Sequence, residues 1–371
     1  MKKTLTIVVT VVAIALGLLL LPYFFAPVYQ FAKLTPFNGD KLFNPYQNIY
    51  SSGWMSITIE ESVSKHQKPT LLHDGYAVFA ESKKIVKHKH SIPSYTHGFN
   101  FFKMQQLCIG SKEVLWIDLP LYQTTGHKQW VIDRLVPHNK IVVLENPGYS
   151  FNDLKKLSNY NLLEISNGKT TSIAKWDTAL STGHRVYMMA DSRLKSDTPN
   201  NFTMIYAPSG VHDEIIHALK NGISYGVTLP ANADALVENG GKKPDTFTAL
   251  KSVDLNNDTL IIVLNKNAAS VRFIHQGGRV AKTVTATDSA VYVVQPNDQY
   301  IRTEVDFNDG MVYYLNPVTR YSGDNSEMKP AVKVNVSATG WLRFFYFAVV
   351  ALAFWYFTRK LPGKSEKKKH P

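Results

Sequence analysis

Metal-assisted hydrolysis needs imidazole and carboxylate groups that converge on one point. The chain offers one local pair of this kind, His88-Lys89-His90, a His-x-His set in a lysine-rich stretch rather than at the end of an apolar run. A second chemistry is anion binding without catalysis. Lys83, Lys103 and Arg193 supply fixed positive charge, and Asn146 supplies an amide donor, for a pocket that would take an anionic ligand. His127-Lys128-Gln129 opens an apolar helical pattern, either at a ligand-facing mouth or at a solvated helix start. Other chemistries are missing: there is no glycine-rich phosphate loop and no G-x-S-x-G elbow. Cys108 is the single cysteine, which excludes an intramolecular disulfide and a cysteine-based zinc site.

The elements that must position these residues fall into two patterns. Between residues 76 and 222, short apolar runs alternate with helical stretches. Strands are expected at 76–80, 114–117, 141–144, 162–165 and 186–190, with helices at 128–135, 151–157, 174–180 and 212–220. Asn221-Gly222 is a helix stop. Buried strands alternating with helices predict an α/β fold with a parallel sheet or barrel. After residue 231 the runs at 259–264, 270–275, 290–294 and 311–315 are separated by turn residues such as Gly277-Gly278 and Asn308-Asp309-Gly310, which predicts an all-β appendage. A length of 371 residues suits one large or two moderate domains.

Tyr160-Asn-Leu-Leu-Glu164-Ile-Ser-Asn167, then Trp176-Asp-Thr-Ala-Leu-Ser-Thr-Gly183, then 186–190, resemble in order and spacing the PHP (polymerase and histidinol phosphatase) family. His212-Asp-Glu-Ile-Ile-His-Ala-Leu-Lys-Asn-Gly222 resembles that family's closing helix. The resemblance covers about residues 45–230. It implies a distorted (β/α)7 barrel in which two or three metal ions, held by His and Asp or Glu at strand ends, activate water to cleave phosphate esters. At those positions this chain departs from the family. Tyr50 and Ser52 stand where a His-x-His is expected, and Glu81-Ser82-Lys83 where Asp-His is expected. Thr96 stands for a Glu before His97, Asn146-Pro147 for His-Pro, and Asp191-Ser192-Arg193 for Asp-x-His. Lys83 and Arg193 would repel a cation. A residual metal site would have to come from His97, Glu164, Asp191 and His184, and an atypical hydrolase site from His88, His90, His97, Glu164 and Asp191. The substitutions favour a pseudoenzyme with no cofactor and no metal, which binds or scaffolds.

The charge pattern points to a membrane. Of the net charge of +12, seven units lie in two short tails, Lys2-Lys3 and residues 359–371. Each tail flanks an apolar run, at 4–25 and 341–357. Basic residues outside apolar runs are the sign of membrane insertion rather than of nucleic-acid binding, for which no reading motif is present. The expected organisation is an anchor at 1–26, an α/β barrel at 45–230, a β-sandwich-like appendage at 231–330, a second transmembrane helix at 341–358 and a basic tail at 359–371. Pro27 after Ala26, and bulky Phe24, argue against cleavage of the first segment. The expected site is the inner (cytoplasmic) membrane, with both termini cytoplasmic and the central domains extracytoplasmic. The expected partners are the lipid bilayer and an anionic envelope ligand or a membrane protein complex, with no nucleic acid.

Overall fold

The structure, a computed structural model, describes the chain apart from residues 1, 34, 48, 50–51, 61–75, 83–84, 86–91, 99, 103, 146–147, 167–170, 192–200, 231–249, 324–331 and 361–371. Helix α1 (Lys2–Phe25) leads into strands β1 (Tyr29–Phe31), β2 (Lys41–Phe43), β3 (Trp54–Glu60), β4 (Tyr76–Ser82), β5 (Ser94–His97) and β6 (Gln106–Ile109). Then come α2 (Thr125–Leu135), β7 (Ile141–Leu144), α3 (Phe151–Leu154), β8 (Leu162–Ser166), α4 (Ile173–Ser181), β9 (Tyr187–Ala190), β10 (Asn201–Tyr206), α5 (His212–Asn221) and β11 (Ser224–Thr228). The last part holds β12 (Leu250–Asn256), β13 (Thr259–His275), β14 (Arg279–Val293), β15 (Tyr300–Asp306), β16 (Val312–Tyr321), β17 (Val332–Val334) and α6 (Val336–Lys360).

These elements do not form the expected (β/α)7 barrel. One 15-stranded sheet runs in the order β12-β13-β15-β16-β11-β10-β3-β4-β5-β6-β7-β8-β9, with β14 added to β13 and β2 to β16. Among the described strands, β3–β4, β4–β5, β7–β8 and β8–β9 pair in parallel, and the other pairs of this sheet are antiparallel. The alternation of strand and helix is real, but it does not fix strand direction. β10 and β11 are joined through α5 and still pair antiparallel, Asn201 opposite Thr228. β5 and β6 are joined by the short stretch 98–105.

The sheet curls back on itself. Thr203 Oγ1 of β10 donates to the carbonyl of Ala190 and accepts from its amide, both at 2.9 Å. Asn316 Oδ1 of β16 accepts from the amide of Met188 at 2.9 Å. Gly226 permits this approach, because a Cβ there would lie 2.2 Å from Met188 Cε. Side chains therefore replace a backbone ladder at the seam.

Two cores stabilise the curl. In the β-rich half, β13 alternates, with Leu260, Ile262 and Leu264 turned in beside Phe202, Tyr225 and Tyr313. In the α/β half, Ile141, Val143, Leu162 and Met189 pack beneath Ile215 and Leu219 of α5. Each such fully buried side chain contributes about 1.5–3 kcal/mol relative to exposure. Strands β7, β8 and β9 are buried throughout, as expected for strands covered on both faces. Residues 31–331 form one compact unit and residues 1–30 with 332–371 another.

The second unit corrects the expectation of two transmembrane helices. Among the described residues one helix is long and apolar enough to cross a membrane, with its apolar window at Val336–Ala353. Within this unit β1 pairs with β17, Thr339 Oγ1 accepts from the amide of Val28 at 3.0 Å, and Phe24 meets Tyr346 edge-on at 6.3 Å. The carboxyl end of α1 thus lies beside the amino half of α6.

Candidate functional site

In folds with parallel strands, ligands usually gather at the strands' carboxyl ends. His97 ends β5 and is buried, with Nδ1 3.1 Å from the carbonyl of Leu115. Burial pushes the imidazole pKa down, while the nearby Asp118 charge and the Leu115 carbonyl pull the other way. Asp118 is itself held by the fold. It accepts from Asn100 Nδ2 at 3.1 Å, from Gln123 Nε2 at 3.0 Å and from the Leu119 amide at 2.7 Å. Gln106, opposite His97 in the ladder, donates to the Tyr149 hydroxyl. Burial pushes the Tyr149 phenol up, and the charges of Glu145, Asp153 and Asp118 add to it.

The rim is therefore acidic, and a cation of the chain itself answers it. Lys128 of α2 is buried, with Nζ 2.5 Å from Asp153 Oδ2 and 5.6 Å from the centre of the Tyr149 ring. Asp153 also accepts from Thr125 Oγ1 and Ser150 Oγ, both at 2.7 Å. Burial alone would raise its pKa; the donors led by Lys128 outweigh that and hold it below the usual carboxylate value. Two helix starts bring these groups together. Thr124 and His127 form a capping box on α2, and Ser150 and Asp153 form one on α3. His127 thus serves the helix start, while Lys128 points inward.

Of the residues singled out in the sequence, Glu164 on β8 and Asp191 after β9 are buried. Their strands are neighbours, and the Asp191 amide donates to the carbonyl of Ser166 at 2.9 Å. His184 lies against Tyr160, Nδ1 to hydroxyl 3.1 Å. Among the described residues, no three His, Cys, Asp or Glu side chains come together in a way that would hold a metal ion. Lys83, Lys103, Asn146, Arg193, His88 and His90 lie outside the described residues. Sequence reasoning missed Asp118, Asn100, Gln123 and Tyr149. The Ser150-x-x-Asp153 box was the one local signal pointing to this cluster.

The segment 176–183, which carried much of the family resemblance, does structural work. Trp176 is buried and donates Nε1 to the Val186 carbonyl at 2.9 Å. Asp177 takes a two-pronged contact from Arg302 of β15, 2.7 Å from Nε and 2.8 Å from Nη2, and a hydroxyl from Tyr300 at 3.0 Å. Ser181 Oγ accepts from the Gly277 amide at 2.8 Å. Gly183 has φ +85°, and a Cβ there would meet the Thr35 carbonyl oxygen at 2.0 Å. These contacts dock α4 onto the β13–β14 turn and β15. A groove of about 670 Å³ remains beside the dock, lined by Phe151, Lys155, Thr178 and Gly278 among others.

No family model matches the chain, and no curated protein matches it. A solved structure from Bacteroides vulgatus ATCC 8482, described as a two-domain protein containing a predicted PHP-like metal-dependent phosphoesterase, is similar over 80% of this chain and 92% of its own. The identity is 10% and the TM-score 0.34, a likeness too loose to transfer the role of any residue.

Proposed function

We propose that this chain is a PHP-like pseudoenzyme held at a membrane, which acts by binding or scaffolding rather than by metal-dependent phosphoester cleavage. The observation that carries this reading is how far the fold engages two of the rim carboxylates. Asp118 accepts from three donors, and Asp153 from Lys128, Ser150 and Thr125. A carboxylate that ligates a cation or accepts a proton in catalysis needs a lone pair turned to the ligand, and these two give most of theirs to the fold. Arg193 and Lys83, in place of expected ligands, favour the same reading.

The anchor in this proposal is α6. Its exposed side chains include Trp341, Phe344, Phe347, Val350 and Leu352, an apolar surface that water does not favour. The basic tail from Arg359 onward would remain on the cytoplasmic side, leaving the large unit on the other. There it would meet an anionic envelope ligand or a membrane protein complex. The test is purification of the full chain in mild detergent, exposure to zinc and manganese, and elemental analysis with a phosphodiester assay. The expected result is less than one bound ion per chain and no turnover. Two or more ions per chain together with hydrolysis would sink the proposal in favour of an atypical hydrolase.

A further inference from the structure

The unit formed by residues 31–331 shows water a set of large aromatics on two adjoining loops. Phe101 is 78% exposed, Tyr122 68% and Trp116 63%, and Phe102 is also exposed. Side chains of this size seldom stand outside without a partner surface. They are not held loosely. The Phe101 amide donates to the Pro120 carbonyl at 3.0 Å, and Asn100 bonds both Asp118 and the Met104 backbone. Phe102 meets Tyr122 edge-on at 6.0 Å. On the other loop the Leu115 amide is fixed by the Tyr95 hydroxyl at 3.1 Å and its carbonyl by His97. These bonds fix the loop backbones from which the rings project.

We propose that these loops are a lipid-facing edge, at which Phe101, Phe102, Trp116 and Tyr122 enter the headgroup region of a bilayer. The inference rests on the membrane reading of α6 above. Two observations choose lipid over other occupants. First, residues 98–105 hold no acid, and of the acids at 111–124 Glu113 pairs with His138 beside Lys112 while Asp118 is buried and bonded, so the edge carries no unanswered negative charge. Second, Trp, Tyr and Phe are the residues that favour the interface between water and hydrocarbon.

The test uses the full chain in nanodiscs of phosphatidylethanolamine and phosphatidylglycerol. An environment-sensitive fluorophore is placed at one introduced cysteine in each of four variants: Phe102→Cys, Tyr122→Cys, Thr283→Cys and Val350→Cys. All four positions are exposed, so folding is not at stake, and the native Cys108 is buried. The expected result is blue-shifted emission and loss of iodide quenching at positions 102, 122 and 350, with position 283 on β14 remaining water-like. If position 350 shifts while 102 and 122 stay water-like, the lipid-facing edge is wrong and the anchor stands. If position 350 stays water-like, the anchor fails, and this inference fails with it. A shift at 102 that follows the number of chains per disc rather than the lipid would mark self-association and overturn the proposal.

Discussion

Arg302→Met removes the guanidinium that joins α4 to the sheet, and its cost can be worked from the contacts. In the native fold Arg302 is almost wholly buried. It gives Asp177 two bonds of 2.7 and 2.8 Å, gives Glu304 a third through Nη1, and lies 5.5 Å from the centre of the Trp176 ring. Burial alone would favour losing its proton, but the two carboxylates more than offset this and hold it charged. Methionine fills the space and leaves two buried carboxylates without that cation. Removing one partner of a buried pair costs about 3–5 kcal/mol. Here the lower end is expected, because Asp177 keeps the Tyr300 hydroxyl and Glu304 keeps Arg272 at 2.8 Å. With a urea slope of about 3 kcal/mol per molar, a loss of about 3 kcal/mol moves the unfolding midpoint down by about 1 M. The assay is urea unfolding of the full chain in mild detergent, followed by far-UV circular dichroism. Adding Asp177→Leu should recover about 1 kcal/mol or more, because the stranded charge goes with it. A single variant that loses under about 1 kcal/mol, or a double variant that loses the sum of both singles, would refute the reasoning.

Two further perturbations probe the rim of β5. His97 is neutral in the fold, since burial depresses its pKa below the value of about 6.5 expected for the unfolded chain. Its contribution is therefore full above that value and is lost as pH falls, because protons then bind the unfolded chain in preference. The slope is at most about 1.4 kcal/mol per pH unit. His97→Gln should flatten the acid limb of stability against pH below about 6.5, and an unchanged limb in denaturant titrations would speak against this environment. Cys108 is buried, and its thiol is pushed up by burial, with the Glu145 charge adding to the shift. It should therefore resist an aromatic disulfide reagent in the native chain and react once urea unfolds it. Rapid native labelling would show that the sheet opens there.

How much of this was legible beforehand depended on the range of the signal. Some local signals held. The run 212–220 with Asn221-Gly222 became α5, closed by Gly222 in the left-handed conformation, while the two strands expected at 259–264 and 270–275 are one strand, β13. The apolar run 114–117 did not become a strand. Its Leu115 amide and carbonyl are taken by the side chains of Tyr95 and His97, and Trp116 turns outward. A run of four apolar residues does not record who takes its backbone bonds. Strand direction was equally hidden, since a helix between two strands serves an antiparallel neighbour as it does a parallel one when the sheet bends.

The least legible feature was the meaning of the words that carried the family resemblance. Trp176, Asp177, Ser181 and Gly183 were readable as a pattern, but Asp177 meets its partner Arg302 across 125 residues. Once that partner is known, each residue of the pattern has a task in docking. Trp176 covers the guanidinium, Asp177 neutralises it, Ser181 caps the amide of the β13–β14 turn, and Gly183 lets the chain pass the Thr35 carbonyl. None of these tasks requires a metal or a substrate. The pattern therefore speaks for the way α4 is seated, and the chemistry has to be argued from the strand ends alone. There a lysine of the chain itself neutralises the carboxylate of Asp153.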